Sequence, residues 1–231
     1  HAAGASCRVI AYEGETMNAP LPEETSTAEV SPKVRRFDGR HLRSERTRQL
    51  MIEAYLQLVE EKGRMPTATE IAQRAGYSVR SIFERFPDLD ALSLATADYA
   101  IAAGQAQATA QDVDGDRAAR ISSHVRTRAE ACERWLPLWR ILTSPATQDQ
   151  VAALAMRVQA VRQANVERIE LMYRRELATL APEAREQLLV VLATLTSFES
   201  WEQMRTGSFG LSTDAAESVW RSAIDRMLPT A

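Results

Sequence analysis

The sequence predicts an all-α protein, a three-helix helix-turn-helix unit followed by longer helices, and three observations carry that expectation. The segment Pro66 to Phe86, PTATEIAQRAGYSVRSIFERF, reads as two short capped helices around a glycine. In the segments after it, apolar residues recur at helical spacing. No strand pattern and no internal repeat is visible.

Composition sets the outer limits. With 231 residues, 45% of them hydrophobic and 26% charged, the chain has the make-up of one large or two small globular domains. Its two cysteines, Cys7 and Cys132, are far apart, which argues against a disulfide framework and for a reducing compartment. The longest apolar run, Leu188 to Leu195 with Thr194 inside it, falls well short of the roughly 20 residues of a membrane span. A cytoplasmic location is expected. The formal net charge is −3, but residues 33 to 48 carry seven basic against two acidic side chains, whereas residues 1 to 32 carry five Glu against one Arg.

In chain order, residues 1–32 read as a disordered or tag-like extension, because Gly4, Gly14, Pro20, Pro22 and Pro32 interrupt any periodicity. Met17 is the expected native start, with residues 1–16 preceding it. A long amphipathic helix follows from about Arg43 to Lys62, its stripe made by Leu50, Ala54 and Leu58 with Met51, Tyr55 and Val59, and Gly63 stops it. Thr67 with Glu70 three residues on is a capping box opening the next helix, whose apolar residues are Ile71, Ala72 and Ala75. Gly76 takes the left-handed stop, and Ser78 caps a second short helix on which Ile82 and Phe86 share one face.

Beyond Pro87, Asp88 caps a helix through Leu92, Leu94, Tyr99 and Ile101, and QDVDGD is a turn. A helix from Arg117 to Trp135 is expected to break or kink at Pro137. One long helix after Pro145 includes Ala155, Val158, Val161, Ile169 and Leu177. Pro182 precedes a helix from Glu183 to Arg205, and Gly207 and Gly210 precede the last, Thr213 to Leu228.

Two helices in this arrangement have the layout of a helix-turn-helix DNA reader, whose second helix is propped by the first and presents its N-terminal residues to base edges, although two short capped helices around a glycine also occur in many other helical proteins. Arg80 and Ser81 are the base-edge candidates, since Arg bridges guanine O6 and N7 and Ser hydrogen-bonds several bases. Val79 suits a thymine methyl. Thr67, Ser78 and Arg85 are assigned to phosphates, with Arg43 and Arg48 as helpers in the basic arm. For Ser78 simple capping accounts for the residue as well, and for Phe83 core packing competes with a DNA contact. His124 is the sole histidine among the helices, and no metal-ligand spacing, phosphate loop or nucleophile elbow occurs, so neither catalysis nor a cofactor is expected.

TRQLMIEAYLQLVEEKG, then TATEIAQRAGYSVRSIFERF, then DLDAL resemble the N-terminal domain of the TetR family of transcriptional regulators over about residues 43 to 95. FESWEQMR followed by GLSTDAAESVWRSAI is similar in arrangement to that family's C-terminal domain. The resemblance implies a DNA-binding domain over residues 33–92, a ligand-binding and dimerisation domain over 93–231, and a homodimer on an operator. The family usually places a Lys where this chain has Leu89, and often a Tyr where it has Phe83. The implied dimer surface is made by Leu188, Val191, Leu192 and Leu195 with Val219, Trp220, Ala223 and Met227, and the competing reading is that these stripes face the chain's own core. Apolar bulk with few charged groups points to a small, mostly apolar effector received by Cys132, Trp135, Trp139, Met156, Met172, Phe198 and Trp201 with His124 as a polar handle, and the competing reading is that each of these residues packs in the core. The expected function is a repressor released from its operator by that effector. The alternative is a helical interaction protein whose helix-turn-helix no longer binds DNA specifically, which Leu89 keeps open.

Overall fold

The computed structural model describes residues 38–107, 112–144 and 152–230. The expectations for residues 1–32, a start at Met17, the basic residues Lys33, Arg35 and Arg36, and Pro145 lie outside the described residues. Every regular element among those described is a helix: α1 (Asp38–Lys62), α2 (Ala68–Ala75), α3 (Val79–Phe83), α4 (Leu89–Gln107), α5 (Arg117–Leu142), α6 (Ala152–Met172), α7 (Arg174–Leu177), α8 (Pro182–Leu195), α9 (Phe198–Arg205) and α10 (Thr213–Met227). The all-α expectation holds.

The stripe of α1 does what its spacing predicts. Met51, Ala54, Tyr55, Leu58 and Val59 are buried, and the Tyr55 hydroxyl lies 3.0 Å from Ser93 Oγ on α4, tying the first helix to the fourth. Gly63 ends α1 with φ +62°, a conformation that costs a residue with a Cβ about 1–2 kcal/mol. Asp88 Oδ1 accepts the Ala91 N–H at 2.7 Å and starts α4 as expected.

The helix α5 forms the middle of the larger core, in contact with α4, α6, α9 and α10. Of the expected break or kink at Pro137 it corrects the break, because it continues through Pro137 to Leu142. An interior proline costs about 3 kcal/mol through a lost backbone hydrogen bond and ring crowding. Leu136, Leu138, Trp139, Ile141 and Leu142 around it are all buried, and each large apolar side chain removed from water contributes about 1.5–3 kcal/mol. The flanking burial outweighs the local penalty.

Two other expected helices are divided. The one ending near Leu177 breaks at Tyr173, where φ is −114°, and α7 follows as a separate turn. The buried Arg120 guanidinium straddles that break, donating to the Met172 carbonyl at 2.6 Å and to both Glu176 oxygens at 2.8 and 2.5 Å. The helix expected from Glu183 to Arg205 is two, α8 and α9, with Ser197 capping the second through the Ser200 N–H at 3.1 Å. The free Thr196 carbonyl at the junction accepts from Arg128 Nε at 2.7 Å, so the break leaves it satisfied. Trp201 on α9 and Trp220 on α10 lie against each other, ring centroids 4.6 Å apart, and both are fully buried.

Candidate functional site

The helix-turn-helix is built as its sequence dictates. Thr67 Oγ1 accepts the Glu70 N–H at 3.3 Å while Glu70 Oε2 accepts the Thr67 N–H at 2.8 Å, the reciprocal pair that satisfies two orphan donors of α2. Gly76 takes φ +76°, and the Tyr77 N–H returns to the Ala72 carbonyl at 2.9 Å. Ser78 then caps α3, accepting the Ser81 N–H at 3.1 Å. Ile82 and Phe86 are buried and anchor α3 from below, while its opposite side faces outward.

On that outward side Arg80 is 88% exposed and is held by Glu84 Oε1 at 3.1 Å. An exposed pair of this kind is worth at most about 1 kcal/mol, less than the roughly 1–3 kcal/mol of a bidentate contact to guanine, so the guanidinium is free to exchange one partner for the other. Ser78 and Ser81 hydroxyls lie 3.0 Å apart beside it, and Phe83 is exposed, not part of the core.

The residues assigned to phosphates are more committed than their chemistry alone suggests. The Thr67 hydroxyl donates to Glu70 at 2.9 Å, and Glu70 also takes Lys62 and Arg64 at 2.5 Å each. Arg64 first, then Lys62 and the Thr67 groups, hold that carboxyl far below the usual range. Arg85 donates to the Ser81 carbonyl at 3.0 Å, and Arg48 donates to the Arg85 carbonyl at 3.2 Å while stacking 4.2 Å over the Phe86 ring. Arg43 donates to the Gly39 carbonyl at 2.8 Å. Arg48 and Arg85 thus hold the end of α3. Tyr77, exposed in the turn with its hydroxyl 3.3 Å from that of Thr47, is a further surface group that helical periodicity did not single out.

A cavity of about 150 Å³ lies among α4, α5 and α6 and is closed on one side by Phe198 of α9. Helical spacing on each wall explains it: Ala97, Ala100 and Gly104 leave room on α4, opposite Trp135 and Trp139 of α5. Of the eight residues expected to receive an effector, His124, Trp135, Trp139 and Phe198 line this space. Cys132, Met172 and Trp201 are buried in the packed core instead, and Met156 is 65% exposed. Bulk and softness mark core positions as readily as cavity walls, which is why the sequence does not separate Cys132, Met172 and Trp201 from the residues that line the cavity.

His124 is buried, with Nδ1 2.7 Å from the Tyr173 hydroxyl, and burial, reinforced by Arg128 and Arg168, lowers its pKa to about 3. The ring is therefore neutral at ordinary pH. Burial raises the Cys132 thiol to about 11, so it is not a thiolate. Arg128, Asn165 and Arg168 also line the cavity and were missed by the sequence reading, though Asn165 and Arg168 sit three residues apart on one otherwise apolar face of α6. No group of three His, Cys, Asp or Glu able to hold a metal occurs among the described residues.

The expected dimer surface splits in two. Leu192 and Trp220 are fully buried within the chain and face its own core. Val191 and Val219 are 47% and 44% exposed, with Val190 beside them at 61%, and Leu188, Leu195, Ala223 and Met227 are half-buried. The outward strip spans α8 and α10, which pack on each other.

A helix-turn-helix of three short-linked helices followed by longer helices around a half-open cavity is a fold shared with solved structures assigned to the TetR family of transcriptional regulators. Two solved structures assigned to that family share it. One, from Rhodococcus sp., matches with a TM-score of 0.61 and 20% identity over 79% of this chain and 98% of the other. The second, from Mesorhizobium loti MAFF303099, matches with a TM-score of 0.57 and 19% identity over 80% of this chain and 96% of its own. No family model matches the sequence, and no curated protein does. No helix among the described residues is long and apolar enough to cross a membrane.

Proposed function

We propose that the chain is a DNA-binding transcriptional regulator, a homodimer that reads an operator with α3 and is released from it by a small organic effector. The observation that carries this reading is α3 itself: a five-residue helix capped by Ser78, anchored by buried Ile82 and Phe86, with Arg80 standing in solvent at its N-terminal end. Arg80 and Ser81 read base edges, Val79 meets a thymine methyl, and Ser78, Tyr77 and the basic end of α1 take the phosphates. Thr67 and Phe83, both exposed, are assigned to the same interface. Residues 33–92 form the reader and 93–231 the sensor and dimer domain, with Val191 and Val219 of two copies meeting across a symmetry axis so that both readers reach half-sites about 34–36 Å apart.

The mechanism follows from α4, which begins three residues after Phe86 and later lines the cavity with Ala97, Ala100 and Gly104. An effector that favours one position of α4 changes the spacing of the two readers and shifts the population away from the DNA-bound form, which makes the protein a repressor. Selection of binding sites from a random DNA pool, followed by mobility shift at several salt concentrations, tests the reading. A palindrome with a steep salt dependence is expected; a weak, sequence-independent shift would leave only a helical interaction protein.

A further inference from the structure

The cavity wall is mostly apolar with a few neutral polar residues, Gln105, Thr127, His124 and Asn165, and its charged groups are of one sign. Arg128, Arg157 and Arg168 line it, and no Asp or Glu among the described residues does. Arg157 is closed off by Asp98 through two bonds of 2.9 and 3.0 Å. Arg128 gives Nε to the Thr196 carbonyl and lies 4.6 Å over the Phe198 ring, with no carboxylate partner among the described residues. Arg168 has neither an ion pair nor a hydrogen bond among those residues. Two partly desolvated guanidinium groups, one on α5 and one on α6, therefore line the same cavity without a counter-charge among the described residues, an arrangement that an anion relieves.

Three buried polar atoms on the same wall also lack partners: His124 Nε2, Trp135 Nε1 and Asn165 Oδ1. The identity of each follows from its neighbours. If His124 Nδ1 carried the ring proton, the buried Tyr173 phenol would have no acceptor for its own; with the phenol donating to Nδ1, the neutral ring carries its hydrogen on Nε2. The Thr196 hydroxyl donates to the Leu192 carbonyl at 2.8 Å, so it accepts from Asn165 Nδ2 at 3.1 Å and leaves Oδ1 over. Two neutral donors, two unpaired cations and one acceptor thus face an apolar space.

We propose that the cavity binds a small amphipathic carboxylate, its acid group met by Arg168 and Arg128 with His124 Nε2–H as a neutral donor, and its body packed against Trp135 and the small residues of α4. This deepens the effector reading above and rests on it. An apolar cavity of about 150 Å³ accommodates a benzene-sized group, which sets the body at one ring or a short acyl chain.

The test titrates the full chain with phenylacetate, its neutral amide phenylacetamide and the cation phenethylammonium, read by calorimetry and by the fluorescence of Trp135 and Trp139. The acid is expected to bind at least about tenfold more tightly than the amide, with no binding of the amine. Arg168→Gln should bring the acid down to the level of the amide without changing amide affinity, and Arg168→Lys should keep the preference; unchanged circular dichroism confirms that the variants fold. Equal binding of acid and amide, tighter binding of the amine, no binding of the acid, or an unaltered preference in R168Q would overturn the proposal. Charge-selective binding that leaves the DNA complex intact would overturn only the effector role, whereas a neutral compound that dissociates DNA while the acid does not bind would overturn only the carboxylate.

Discussion

Arg80 and His124 show how differently two side chains of the same protein are placed for their work. Arg80 projects into solvent and is tied only to Glu84 by an exposed pair. Its replacement by Ala should cost about 1–3 kcal/mol of operator binding and relax the preference at one base pair. Quantitative mobility shift with a panel of single-base operator variants measures both, and an unchanged profile would reject the assignment. His124 is the opposite, a ring held neutral by burial with a pKa of about 3 against 6.5 in the unfolded chain. Because the folded value is depressed, the unfolded chain takes up a proton that the folded chain refuses; stability is unaffected above about pH 6.5 and falls as pH drops from there towards 3. Between pH 7 and pH 5 that amounts to about 2 kcal/mol. Urea unfolding should show His124→Gln losing less stability over that interval than the parent chain; parallel losses would mean that other groups set the slope.

At the scale of elements, capping chemistry decided what local sequence could decide. The capping box of Thr67 and Glu70, the left-handed Gly76 and the Ser78 cap all form, because each is a contact between residues three or four apart. Pro137 and the junction at Thr196 and Ser197 went otherwise for the same underlying reason, that tertiary burial overrides local preference. If the proline in α5 is tolerated only because its neighbours are buried, Pro137→Ala should restore a backbone bond to Glu133 and raise stability by up to about 3 kcal/mol. A rise in thermal midpoint is expected, and a fall would show that the ring packs better than it disrupts. Leu89, standing where the family resemblance leads one to expect Lys, is half-buried against the core. Its role is to seat α4.

For the molecule as a whole, the outward strip of Val190, Val191 and Val219 on adjoining helices is the apolar surface that a second copy would cover. If the proposed dimer forms through this strip, Val191→Glu should place like charges across its symmetry axis and give a monomer in sedimentation velocity, with weaker DNA binding and little change in helix content. A dimer that persists would move the interface elsewhere. The proposed coupling between cavity and helix-turn-helix belongs to the same scale, since α4 follows α3 in the chain and also lines the cavity.

The order of helices, the caps of the reader and the apolar stripes were legible in the chain itself, since they arise from residues a few positions apart and from helical periodicity. Which bulky side chains line a cavity and which fill the core was not: Trp135 and Trp201 read alike in the sequence, yet one borders the cavity and the other packs on Trp220. Nor could spacing show that Leu192 turns inward while Val191 beside it turns out, or that Arg128 and Arg168, forty residues apart, line one cavity with no acid among its described residues. Those distinctions belong to the packing of helices distant in the chain, where neighbours are set by the fold's geometry and local chemistry has no means of choosing them.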